Sequence, residues 1–199
     1  KTLKTISNET KNRPFHVHYA LKANANTQIL KDVASYGFGA DCVSGNEILK
    51  ALECGFPASK IAFAGVGKSD KEINIGIDND IFCFNVESIP EIEVLNDLAE
   101  KKGKTASVAL RINPNIDART HKYITTGLNE NKFGINEQDL PKTLETVDGC
   151  SNIKLIGIHF HIGSQITDLT SFEDLCVKVK QIQSWFEDKG IELPVINVG

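Results

Sequence analysis

Short apolar runs alternate with amphipathic stretches along almost the whole chain, and this alternation restricts it to repeated βα units on a parallel sheet. The apolar runs fall at 16–21, 38–42, 60–65, 81–86, 107–113, 153–160 and 195–198 and read as strands. Helical periodicity fills the intervals at 26–36, 45–54, 70–77, 89–102, 137–148 and 171–189, with a lead-in helix at 2–11. Ser44-x-x-Glu47, Ser69-x-x-Glu72, Ser88-x-x-Glu91 and Thr170-x-x-Glu173 each fit the reciprocal capping box, which satisfies two backbone donors that a first turn leaves open. Gly37, Gly55, Gly103, Gly149 and Gly190 follow helical stretches, where a left-handed residue closes the last turn.

Such units either close into a (β/α)8 barrel or spread into a doubly wound sheet. No Gly-x-Gly-x-x-Gly turn follows the first strand, which favours an α/β barrel of the TIM type. A full barrel takes about 250 residues, so the 199 residues here are expected to form one incomplete barrel domain, with about seven of the eight units. Met is absent even at position 1, and the chain stops on the apolar run Val195-Ile196-Asn197-Val198-Gly199. It therefore reads as a piece that begins partway through a longer protein.

Composition closes off several function classes. A net charge of -4 with scattered lysines offers no basic field for nucleic acid. No apolar run approaches the roughly 20 residues of a membrane helix, and no leader pattern opens the chain, so a cytoplasmic protein is expected. Cys42, Cys54, Cys83, Cys150 and Cys176 form no CxxC pair and read as free thiols.

In a barrel the chemistry sits at the carboxyl ends of the strands. The run Tyr19-Ala20-Leu21-Lys22-Ala23-Asn24 puts a lysine there, with His16, His18, Ala20 and Lys22 on one strand face and Val17, Tyr19 and Leu21 on the other. On an isolated strand that lysine would reach for solvent. Against apolar walls at a barrel mouth it loses hydration, favours the neutral amine and becomes a candidate Schiff-base former. Asp41 ends the second strand as a carboxylate able to pair with an ammonium. Glu47 either completes a capping box or joins the site, and the Arg111 fork suits an anionic group of substrate or cofactor.

The sixth strand ends Gly157-Ile158-His159-Phe160-His161-Ile162-Gly163-Ser164-Gln165. His159 and His161 share a face and, with Asp168, could hold zinc. Alternatively one imidazole is a flat stacking surface for an aromatic cofactor, with Gly163 and Ser164 as donors to a phosphate, or both are hydrogen-bonded inside the barrel. The loop from Asn113 to Gly134 is out of proportion, and long βα loops are usually functional.

The lysine run, the His159 to Gln165 run, and the loop from Asn113 through Thr120-His121 to Asn131-Lys132-Phe133-Gly134 resemble the diaminopimelate decarboxylase family. The resemblance covers essentially the whole chain in the expected order. It implies an alanine-racemase-like barrel, pyridoxal 5'-phosphate (PLP), and decarboxylation of meso-2,6-diaminopimelate to L-lysine in a homodimer. By it, Lys22 is the lysine that carries the cofactor, His161 stacks on its ring and Ser164 contacts its phosphate. Asp41, Glu47, Arg111 and Gly163 line the same pocket, and Gly199 opens a glycine-rich phosphate loop. Family members continue past that glycine into the rest of the loop and a C-terminal β-domain, so the 199-residue chain by itself is expected to be inactive. Decarboxylases of ornithine, arginine or carboxynorspermidine share the lysine and histidine runs. They are the nearest alternative, followed by a PLP-binding barrel without turnover and a zinc-dependent barrel hydrolase.

Overall fold

A computed structural model describes residues 1–116, 133–164, 166, 167 and 169–199. Its strands are β1 (His18–Ala20), β2 (Gly39–Cys42), β3 (Ile61–Phe63), β4 (Cys83–Val86), β5 (Ala106–Arg111), β6 (Ile153–His159) and β7 (Val195–Asn197). The helices are α1 (Thr2–Thr10), α2 (Thr27–Ser35), α3 (Gly45–Glu53), α4 (Asp70–Asp78), α5 (Ile89–Glu100), α6 (Leu140–Gly149) and α7 (Thr170–Glu187). All neighbouring strands pair in parallel and the sheet runs in chain order from β1 to β7. A doubly wound sheet reverses its strand order partway; this one never does, and so is an incomplete TIM-type barrel.

The two sheet faces are sorted by size. Outward-facing Phe63, Phe84, Val86, Leu110 and Ile158 join Ile48, Ile73, Ile92, Leu95 and Phe186 of the helices in one continuous core. Each such side chain contributes about 1.5–3 kcal/mol on burial, which fixes the helix layer to the sheet. Inward-facing Cys83 and Ala109, with Ile156, form a separate small cluster flanked by Phe82 and Val195.

The strand that carries the histidines changes phase midway. Ile153 and Leu155 pack toward the helices, as do Ile158 and Phe160, so the outward positions switch from odd to even. The cause is a register shift in which Val108 pairs with Leu155 but Ala109 with Gly157. Without it, His159 and His161 would face the helix layer. Gly157 allows the close approach, since a Cβ there would run into the Val195 carbonyl.

The helix starts follow the capping pattern with a variation. Ser44 and Ser88 accept the N–H of Glu47 and Glu91 at 3.2 and 3.4 Å. Both glutamates reach past the cap, however, to the N–H of Val43 and of Glu87, each at 2.8 Å. Glu72 takes both the N–H and the hydroxyl of Ser69, at 3.1 and 2.7 Å. The expected box at Thr170 does not form: Leu169 is the cap, with no side-chain cap bond, and Thr170 is already the first helical residue.

Candidate active site

The mouth of the barrel is built from strand ends. β1 stops at Ala20, which pairs with Asp41, and the chain then makes a 3-10 turn over Leu21–Ala23. Leu21 anchors the turn in the helix-side core, and the Tyr19 hydroxyl closes it by donating to the Asn24 carbonyl at 3.1 Å. Lys22 is thereby carried beyond the last ladder pair into the open mouth, where its side chain is exposed. Among the described residues the apolar walls expected around it are absent. Its cation nevertheless acts on both Asp41 of β2 and His161 beyond β6, which places all three around one opening.

Burial pushes the Asp41 carboxyl up to about 6, against the pull of Lys22, while Glu47 raises it further and Arg111 opposes. Glu47 spends one oxygen on Val43 and its own N–H on Ser44, so its local role is to hold the entry of α3. Arg111, at the end of β5, donates to Glu87 Oε1 at 2.8 Å with both side chains almost fully buried. The Gly65 N–H reaches the same oxygen at 3.3 Å, and Phe133 lies over the guanidinium at 5.5 Å. Glu87, Lys68, Asn85 and Phe133 are site residues that the sequence reading missed. Glu87 carried a usable signal, a carboxylate directly after an apolar strand.

His159 stands in register between Arg111 and Asn197. Burial first, then the charges of Arg111 and Lys68 and the neighbouring His161, push its pKa down to about 3. Burial and then Arg111 and Lys22 lower His161 as well, so both imidazoles are neutral at physiological pH. Past β7, Gly199 has φ +94° and lies so close to the imidazole that a Cβ would sit 2.7 Å from His161 Nδ1. Gly163 and Ser164 are exposed on the loop after β6, while Gln165, Asp168, Thr120 and His121 lie outside the described residues. Among the described residues no three His, Cys, Asp or Glu side chains converge as metal ligands. Among the described residues four buried side-chain polar atoms lack partners; apart from Ser171 Oγ on α7 they are Asn85 Nδ2, Glu87 Oε2 and His159 Nδ1 at the strand ends. Buried polar groups are normally paired, so orphans in the interior below a polar mouth mark a site shaped for something polar.

A pH dependence follows from two of these groups. His159 sits near 3 in the fold against an ordinary 6.5, so its contribution to stability is complete above 6.5 and is lost as the pH falls. Asp41 sits near 6 against an ordinary 3.8, so stability is regained as the pH falls from 6 to 3.8. The two oppose each other in that window. Asp41→Asn is expected to unmask the acid loss: the variant is the more stable form at pH 6.5, and its advantage over wild type shrinks by roughly 2 kcal/mol by pH 4. Urea titrations across that range check it, and a pH-independent difference would contradict it.

The family model for the pyridoxal binding domain of pyridoxal-dependent decarboxylases matches residues 1–199. The chain belongs to this family. The pyridoxal binding domain is 54% identical over 199 residues to a diaminopimelate decarboxylase of Bacteroides thetaiotaomicron, covering 100% of this chain and 52% of the relative. One from Aquifex aeolicus is 41% identical over 181 residues, covering 91% and 43%. Among solved structures, diaminopimelate decarboxylase from Helicobacter pylori complexed with L-lysine superimposes with a TM-score of 0.89 at 40% identity, covering 96% of this chain and 49% of that one. The M. jannaschii enzyme in co-complex with L-lysine gives 0.83 at 41%, covering 96% and 44%. An arginine decarboxylase of Paramecium bursaria Chlorella virus, at 24% identity and a TM-score of 0.80, shares the fold. The chain spans about half the length of the curated relatives it matches.

Proposed function

We propose that the protein carrying this chain decarboxylates meso-2,6-diaminopimelate to L-lysine and carbon dioxide, with PLP held covalently on Lys22. The observation that carries this reading is that Lys22 and Arg111 each act on both Asp41 and His161 across a single barrel mouth. The curated relatives named for that reaction, and neighbours that bind its amine product, support the substrate.

When bound, PLP supplies an electron sink for the pair left as carbon dioxide departs. Lys22, exposed at the mouth, would hold PLP covalently through its amine. His161, neutral and half-buried, offers the ring a flat face without a competing cation. Gly163 and Ser164 border the same face as phosphate donors, and the chain can pass beside the imidazole only because residue 199 has no side chain. Asp41, largely ionised above about pH 6, would hold a proton on the Lys22 amine when that amine is free. Arg111, fixed by Glu87, would face an anionic group, and Glu47 steadies the turn that follows the strand carrying Asp41.

Residues 1–199 then form the barrel portion of a longer cytoplasmic enzyme acting as a homodimer. Apolar Val66, Phe133 and Leu169, exposed on loops at the mouth, support a second copy covering it. The test is carbon dioxide release by the intact protein with added PLP. We expect it from meso-diaminopimelate; release from ornithine or arginine instead would overturn the substrate assignment.

A further inference from the structure

The most deeply buried cation of the described site is one the chemistry above does not use. The Lys68 side chain is 1% exposed, and a lysine is almost never buried so fully unless it is paired. All three of its donors are spent: on Gly65 O at 2.8 Å, Asn85 O at 2.7 Å and Glu91 Oε1 at 2.6 Å. Its ammonium also lies over the Phe63 ring at 5.4 Å. These partners come from the loop after β3, the end of β4 and the start of α5, so one amine ties three elements together.

Each tie leads to Glu87. Glu91, held by Lys68 through one oxygen, takes the Glu87 N–H with the other at 2.8 Å. Gly65, held by Lys68 through its carbonyl, donates its N–H to Glu87 Oε1. Asn85 stands two residues before Glu87 on the same strand face. Glu87 in turn receives Arg111 at 2.8 Å. Two cations and two carboxylates thus form one neutral cluster under the mouth.

We infer that Lys68 is the positioning residue for Arg111: through Gly65, Asn85 and Glu91 it fixes Glu87, and Glu87 sets where the guanidinium stands. The inference rests on the reading of Arg111 as an anion-facing group, but its geometry belongs to the cofactor-free fold. A lysine that merely stapled the loop would stabilise the protein without moving Arg111.

His161 reports the difference. The charges that act on it are Arg111, Lys22 and Glu87, with Lys68 not among them. In intact cofactor-free protein, an NMR titration is expected to show the His161 pKa rising by about 0.5 in Lys68→Met, as the guanidinium drifts away. Arg111→Met should raise it similarly, and the double variant no further, because the two changes share one path. PLP added to the same proteins is expected to bind about tenfold more weakly in Lys68→Met, with little extra loss in the Arg111→Met background. An unchanged His161 in Lys68→Met, or effects that add in the double variant, would overturn the inference. Glu91→Gln breaks the same link and serves where Lys68→Met does not fold. The titration needs neither cofactor nor turnover, so failure of the decarboxylase reading would show separately, as absent carbon dioxide release.

Discussion

Lys22→Ala is expected to abolish covalent capture of PLP and to lower decarboxylation by about a thousandfold or more, while leaving the fold intact. The loss is large because removing a nucleophile eliminates a route rather than weakening one contact. The fold survives because the side chain is exposed and holds no core position; Leu21 beside it makes the packing contacts. Lys22→Arg keeps the cation but lacks an amine that can be deprotonated, so charge alone should not rescue activity. Absorbance of the cofactor-loaded variant and its turnover check this together. Retained visible absorbance with near-normal turnover would remove Lys22 from the chemistry.

Glu87→Ala should cost about 3–5 kcal/mol, because it strands the Arg111 guanidinium in a site where its side chain is only 11% exposed. It also deprives the Gly65 N–H of its acceptor. Glu87→Gln keeps the volume and an acceptor oxygen, so it should cost less than half as much. The Lys50–Glu53 pair gives the contrast: it is half-open to solvent, and breaking it should change stability by no more than about 0.5 kcal/mol. Urea midpoints at constant slope measure all three. Equal, small effects would mean that the buried cluster is not held as described.

The fold was legible in the sequence because strands and helices in a parallel barrel carry different periods and the caps mark where one gives way to the other. Each expected strand and helix is present, with ends displaced by a residue or a few. The loss came wherever the chain departs from period. The alternation at β1 implied that Lys22 continues the strand; a 3-10 turn ends it first, and the amine meets solvent rather than apolar walls. In β6 the histidines face inward only because of the register shift before Gly157, a glycine inside a strand whose meaning shows once its neighbour Val195 is known. Glu87 and Lys68 stayed hidden for another reason. Their roles are pairings between residues about two dozen positions apart, and nothing local distinguishes a buried lysine from a solvated one. The loop that tilted the resemblance toward the diaminopimelate branch lies largely outside the described residues.

The most direct test is to load the intact protein with PLP, reduce it with borohydride and map the labelled peptide. The account predicts a single pyridoxyl group on Lys22. A label on Lys68 or on any other lysine would contradict it.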